Sequence, residues 1–397
     1  MSVNQQTHKI PRGVWALGFV SLFMDVSSEM IHGLLPVFLV TVLGASALMV
    51  GIIEGVGEAL ALIVRLFSGV LSDYLKSRKS LVFTGYLLGT LSKPLFALAS
   101  NAGVVLAARS LDRVGKGIRG APRDALIADL TPDAIRGAAY GLRQSLDSVG
   151  AVVGPLLAVI VMWLSSDNFR AVFWLAAIPG FFSITIILWF VKEPQPSQAT
   201  AKTPFSLKAV GKLSAAFWLI LAVGLVFTLA RFSEAFLLLR AEEVGMQAHF
   251  VPVILVILSF TYALGAYPAG TLSDKWGRSG LLLAGLGLLM VTHLVLAYST
   301  TVVHACIGAA LWGLHLALTQ GLFAALVADS CPPDLRGSAF GLFSFGTGIA
   351  ILMASVIAGL LWDTFGSQMT FLAGSGFALV ALAGSALVLK RAHRPAG

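Results

Sequence analysis

The chain has 397 residues, of which 57% are hydrophobic and 12% charged, with 27 Lys and Arg against 19 Asp and Glu for a net charge of +8. So few polar side chains cannot cover a water-soluble domain of this size, and lipid is the expected solvent for most of the chain. The basic residues are dispersed over many short connections, which argues against a nucleic-acid surface as the origin of the excess charge.

A bilayer core takes about 20 mostly apolar residues per helix. The apolar runs predict an all-α membrane protein with helices near 13–40, 47–72, 80–99, 101–125, 137–164 and 170–191, then 213–240, 248–273, 279–299, 301–328, 337–362 and 368–390. Charges inside these runs are the main functional signal, because each costs about 2.5 to 3.5 kcal/mol at a helix centre unless paired or hydrated.

In the first span Asp25, Glu29 and His32 recur at intervals of four and three and share one helical face. The second span carries Glu54, Glu58 and Arg65 on roughly one face. Two carboxylates one turn apart repel when both are charged, which suits proton coupling, and Glu58 is the preferred member. A salt link from this span to Arg143 and Asp147 in the fifth is the structural alternative.

In the fourth span Arg109, Asp112, Arg113 and Lys116 again share a face. Counting inward from the predicted ends places Asp25 at the depth of Arg113 and Glu29 at that of Arg109. The two faces are expected to meet across a wet central cavity, where Arg113 holds Asp25 or Glu29 until a proton or an anionic substrate competes. A permanent ion pair that fixes helix register is the competing reading. The fifth-span run Gly150-x-x-x-Gly154-Pro155 is a packing device, since small residues at that interval admit close helix contact and Pro155 removes a backbone hydrogen bond.

Residues 192–212, with Pro194, Pro196 and Pro204, read as a linker between an N-terminal bundle (1–191) and a C-terminal bundle with a short tail (213–397). The second half is less charged. Arg231 and Glu234 lie three apart in the seventh span, with Ser233-Glu234 echoing Ser28-Glu29. His293, His315 and Gln320 are further polar candidates. A lone membrane histidine usually bonds a neighbouring helix, and His315 is preferred over His293 and His304 for its mid-span position. Trp218 and Trp312 are possible stacking surfaces, with lipid-facing placement the default. Cys306 in a span and Cys331 in a loop do not suggest a structural disulfide, and the first apolar run continues past Asp25 and Glu29 without a persuasive signal-peptide cleavage site.

The chain also repeats itself about two hundred residues apart. Gly69-Val70-Leu71-Ser72-Asp73 returns as Gly270-Thr271-Leu272-Ser273-Asp274, and Leu126-Ile127-Ala128-Asp129 with Arg136-Gly137 returns as Leu326-Val327-Ala328-Asp329 with Arg336-Gly337. A repeat of this period between apolar spans indicates two equivalent halves. Lys and Arg fall on every second connection, including Lys9, Arg12, Arg78, Lys79, Arg136, Arg278, Arg336 and Lys390, whereas 41–46, 99–101 and 299–301 carry none. Both termini and both repeated loops are therefore expected on the cytoplasmic side of a plasma or bacterial inner membrane, with an even number of spans per half.

These residues resemble the major facilitator superfamily over nearly the whole chain. Gly69, Asp73, Arg78 and Lys79 look like its glycine-aspartate-basic loop, with Gly270, Asp274 and Arg278 as the second copy. Arg113, Lys116, Gly117, Gly120 and Ala121 look like its fourth-span arginine motif, and the run Asp112–Asp124 is similar to one branch of the family. Gly150, Gly154 and Pro155 look like the fifth-span motif associated with antiporters. The resemblance implies twelve helices in two pseudo-symmetric six-helix bundles and a monomer that works by alternating access. It also implies that Asp73 and Asp274 latch one gate state, and a static turn with helix-terminal charges is the alternative.

No phosphate loop ending in Gly-Lys-Ser or Gly-Lys-Thr, no His-Glu-x-x-His and no cysteine cluster occurs, so no cofactor, metal or enzymatic reaction is expected. Proton-coupled export of a small organic solute is the leading expectation. Uptake or facilitated movement of an anion recognised by Arg109, Arg113 and Arg231 is the alternative, and a non-transporting receptor would need a soluble domain that the sequence does not suggest.

Overall fold

The computed structural model describes residues 9–75, 77–193, 211–332 and 335–392, without the side chains of Val70, Asp73, 273–276 and 388–392. The expected linker 192–212 falls almost wholly outside them. Among the described residues every regular element is helical. Helix α1 (Arg12–His32) breaks at Gly33 and continues as Leu35–Val37 and a π-helical turn, Phe38–Val42. There follow α2 (Ala47–Leu75), α3 (Arg78–Ala97), α4 (Ala102–Leu130), α5 (Arg136–Leu164) and α6, in two segments, Phe169–Leu175 and Ala177–Phe190.

In the second half α7 is broken into Ala215–Leu229 and Ala235–Glu243. The helical run Val253–Ala297 is interrupted at Gly277, where φ of 70° needs a residue without Cβ, and its two arms are α8 and α9. Helix α10 consists of Val302–Thr319 and Leu322–Asp329, joined at Gly321, and is followed by α11 (Arg336–Phe365) and α12 (Ser367–Ala392). The predicted spans 13–40, 170–191, 213–240 and 301–328 are thus each interrupted, where the length of the run suggests one continuous helix.

Among the described residues nine helices are long and apolar enough to cross a membrane. Helices α3, α4 and α7 fall outside that group for a physical reason. The first contains Lys93, the second the whole arginine-rich run from Arg109 to Asp124, and the uninterrupted apolar segment of the third is only 15 residues long.

Helix α1 packs on α5 and α6, and α4 lies between α2 and α3. Helix α10 packs on α8 and α9, and α7 packs on α11 and α12. The two halves meet where α2 crosses α11 and where α5 crosses the run Val253–Ala297. The α2–α11 crossing is tight at one end and widens toward the other. A Cβ on Gly359 would lie 2.5 Å from the Ala47 carbonyl, one on Gly51 would collide with the Ser355 carbonyl, and the clearance rises to 3.0 Å at Gly55 and 3.7 Å at Gly348. We call the tight end sealed. Arg65, further along α2 toward the opposite end, has a side chain 57% exposed.

Candidate functional site

Between the halves lies a cavity of about 560 Å³, with walls from α1, α2 and α4 on one side and α7, α10 and α11 on the other. The first wall is charged and carries Glu29, His32, Glu54, Glu58, Arg113 and Lys116. The second is mainly aromatic, with Phe227, Phe232, Trp312, Phe323 and Phe343, and adds one acid and one base, Glu234 and Arg231.

Residues four apart on a helix stack on one face, so Glu54 and Glu58 of α2 meet Arg109 and Arg113 of α4 as two rungs of a ladder. Arg109 donates to Glu54 at 2.5 Å, and Arg113 lies 3.3 Å from Glu58. Gly57 makes room for both, since a Cβ there would lie 3.1 Å from Arg113 Cγ and 3.2 Å from Arg109 Cγ. The first rung is dry, its side chains 2% and 1% exposed, and His32 Nδ1 accepts a second bond from Arg109 at 2.8 Å. Both rungs reach the cavity wall, but only the second is open to it, with Glu58 31% exposed. The nearest carboxylates of these arginines are therefore on α2. The expected pairing with Asp25 and Glu29 of α1 is not formed, and the alternative link from α2 to the fifth helix is absent as well, because Arg143 binds Asp147 of its own helix at 2.5 Å.

Helix α1 instead presses on α5. A Cβ on Gly150 would lie 2.9 Å from Asp25 Cβ, and one on Gly154 would lie 2.7 Å from Glu29 Cβ. The two glycines allow α1 to bring these carboxylates to the level of the cavity, which Glu29 lines and Asp25 does not. Asp112 turns away from the cavity. It accepts from Lys93 of α3 at 2.8 Å, and Lys93 also donates to Ser28 at 3.1 Å. Lys93 is 1% exposed and escaped the sequence reading, although a lysine within the apolar run 80–99 carries the same insertion cost that singled out the other charges.

The rest of the arginine-rich run has partners too. Arg119 stacks over the Tyr86 ring at 4.6 Å, Arg123 donates to Ser21 at 2.9 Å, and Asp124 lies 3.3 Å from Arg65. The motif joins α4 to α1, α2 and α3. In the second half Arg231 and Glu234 sit at the break in α7. The carbonyl of Ala230, freed by the break, accepts a bond from His293 at 2.8 Å, and the Ser233 N–H donates to Ser355 at 3.2 Å. His315 does not line the cavity. It is fully buried, and its Nδ1 bonds the Gly285 carbonyl at 2.7 Å. Gln320 and Trp312 do line it, and Trp312 is 1% exposed, away from lipid. A second buried basic residue outside the sequence reading, Arg240, ties the Leu296 and Ser299 carbonyls and the Ser367 hydroxyl together at the sealed end.

The repeated loops make matching contacts. Arg78 donates to Asp129 at 2.5 Å and Arg278 to Asp329 at 2.9 Å. Glu193 also accepts from the N–H groups of Arg78 and Lys79, which open α3. Gly69 lies against Ala121, whereas Gly270 has open space around it. The side chains of Asp73 and Asp274 lie outside the described residues. Among the described residues no group of three or more His, Cys, Asp or Glu could hold a metal ion.

A helical bundle with a charged cavity between two halves defines a membrane transporter fold, and comparison with known proteins agrees. The profile of the Major Facilitator Superfamily matches residues 17–240 and again 235–397. The chain belongs to that superfamily of transporters. It is 35% identical over 383 residues, 95% of each chain, to an uncharacterized MFS-type transporter of Methanocaldococcus jannaschii. It is 27% identical over 374 residues to the multidrug resistance protein MdtH of Photorhabdus laumondii, covering 92% of this chain and 90% of that one. Among solved structures, the nucleoside transporter NupG superposes with a TM-score of 0.79 at 13% identity, over 94% of this chain and 99% of that chain. A bacterial homolog of the human lysosomal transporter Spinster, inward-facing and unoccupied, gives a TM-score of 0.77 at 14% identity, over 96% and 98%.

Proposed function

We propose that this protein is a proton-coupled secondary transporter that exports a small organic solute by antiport. Twelve spans form two six-helix bundles, 1–191 and 213–397, joined by a cytoplasmic linker at 192–212. The monomer lies in the cell membrane with both termini in the cytoplasm, and the bundles rock about the central cavity. In this arrangement the sealed end faces outward and the structure is inward-open. The resemblance to a solved transporter described as inward-facing supports that assignment, and the multidrug resistance relative supports export.

The observation that carries the reading is the pairing pattern in the cavity. Glu54 and Glu58 are held by arginines, while Glu29 and Glu234, one from each half, line the cavity with no ion-pair partner among the described residues. A carboxylate without a cation beside it can exchange a proton for a solute, which is the exchange that antiport requires. The cavity-facing rung, Glu58–Arg113, supplies a pair that opens and closes during the cycle.

The test is proton flux in reconstituted vesicles carrying an imposed gradient of each of a panel of small organic solutes. Protons are expected to move against the solute, and Glu29→Gln or Glu234→Gln to abolish the proton movement. Movement of protons together with the solute would overturn antiport. One observation favours the second reading, transport of an anion. Lys116 and Arg231, also from opposite halves, line the cavity without an ion-pair partner among the described residues. An anion bound there would travel with protons, so the sign of the flux separates the two readings.

A further inference from the structure

The sealed end is held by contacts that the cavity chemistry does not explain. Asp363, near the C-terminal end of α11 in the second half, faces the N-terminus of α2 in the first. Its Oδ1 accepts from the Ala47 N–H at 3.0 Å and its Oδ2 from the Leu48 N–H at 2.9 Å. The opening N–H groups of a helix have no partner within the helix and carry its positive dipole end, so a carboxylate placed there is bound by both hydrogen bonds and charge. Here the cap comes from the other half of the molecule, 316 residues along the chain.

One turn inward from Asp363, Gly359 lets the α11 backbone approach within contact of Ala47 and Leu48. A second bridge lies on the opposite flank. Ser166 and Asp167, at the end of α5, adopt left-handed φ of 55° and 62°, and Asp167 reaches His249 at 2.9 Å in the connection before α8. The short helix Ala248–Phe250 that carries His249 rests on α5. Both bridges join first half to second, and both would have to break for this end to open.

We propose that Asp363 is an outer-gate latch: its carboxylate, by capping α2 across the interface between the halves, holds the sealed end shut, and Asp167–His249 is the weaker second arm. The proposal rests on the alternating-access reading above. In that cycle the latch sets how often the cavity opens to the sealed side. Asp363 acts at a distance from the cavity and needs no contact with solute. The second arm contributes less because it is a single bond to a carboxylate 52% exposed.

Pulsed electron-spin distance measurements test it on the full chain with Cys306 and Cys331 replaced by Ser. Spin labels at Asn101→Cys and Thr300→Cys, exposed positions in the loops before α4 and α10, report the separation of the halves at the sealed end. Asp363→Ala is expected to raise the ratio of long to short distances about fivefold, as for loss of a helix cap. Asp363→Asn, which keeps an acceptor but loses the charge, should lie between it and the parent, and Asp167→Asn should shift the ratio less. An Asp363→Ala distribution that matches the parent's would overturn the latch. Gly359→Leu separates the two levels of inference, because its side chain forces α11 from α2 whatever Asp363 does. If Gly359→Leu lengthens the distance and Asp363→Ala does not, the latch alone is wrong. If neither moves it in monodisperse protein, the rocking of the halves is wrong as well.

Discussion

At the scale of single residues the two rungs of the α2–α4 ladder differ in what surrounds them, and this separates stability from function. Glu54 and Arg109 are both dry, so removing one partner strands a buried charge, a loss of about 3–5 kcal/mol. Glu54→Gln is therefore expected to lower the thermal midpoint of the purified protein sharply. Glu58→Gln should lower it much less, because water in the cavity solvates Arg113 once its partner is gone, and its effect should appear in proton flux. Equal loss of midpoint in both variants would contradict this division. Lys93→Met should behave like Glu54→Gln, leaving the buried Asp112 only its 3.9 Å ion-pair contact with Arg113, and Lys93→Met combined with Asp112→Leu should recover part of the loss. A carboxylate one turn from another looks, in a sequence, like a repelling pair. The ladder shows why that inference fails: each acid has its own arginine, and only the packing of α2 on α4 reveals it.

At the scale of elements, small residues decide which helices touch. Gly154 faces the Val26 carbonyl and Glu29 Cβ, where a side chain has no room, so Gly154→Leu should cost about 1–3 kcal/mol or more by overpacking and displace Glu29 from the cavity wall. Gly141-Leu142 recurs as Gly341-Leu342, yet Gly141 has nothing within 4 Å, so Gly141→Ala should leave the midpoint within about 0.5 kcal/mol of the parent, or raise it through helix propensity. Thermal unfolding followed by intrinsic fluorescence compares the two. Both are glycines of the same helix, α5, and only contact distinguishes them. The break in α7 follows the same logic. Its apolar composition reads as one continuous span, yet 230–234 leave the helix because His293 and Ser355 of neighbouring helices take up the freed backbone groups. Nothing local in the sequence announces partners that lie 63 and 122 residues away.

At the scale of the whole molecule, the alternation of basic loops with uncharged ones predicts the orientation of the bundle. Asn101→Cys, placed in an uncharged connection, is expected to react with a membrane-impermeant maleimide in intact cells, and Ser77→Cys, beside Arg78 and Lys79, only after permeabilisation, again without the native cysteines. The reverse labelling pattern would invert the topology and with it the assignment of the sealed end to the outside. The matching ion pairs Arg78–Asp129 and Arg278–Asp329, each spanning 51 residues, show the internal repeat acting on structure: the same residues at the same spacing close the same turn in both halves.

What the sequence determined by itself is the lipid environment, the helical class and the superfamily, because insertion energy and local periodicity are written residue by residue and a repeat is visible without any contact. The carboxylates near the cavity were also legible, since each is a costly charge in an apolar run. Only the tertiary structure decided which arginine holds which acid, that Lys93 pairs with Asp112, that His315 is a buried strut, and that Asp363 caps a helix of the opposite half. Those pairings depend on distances between segments far apart in the chain, set by the packing of glycine faces and the crossing of helices, which no local spacing encodes.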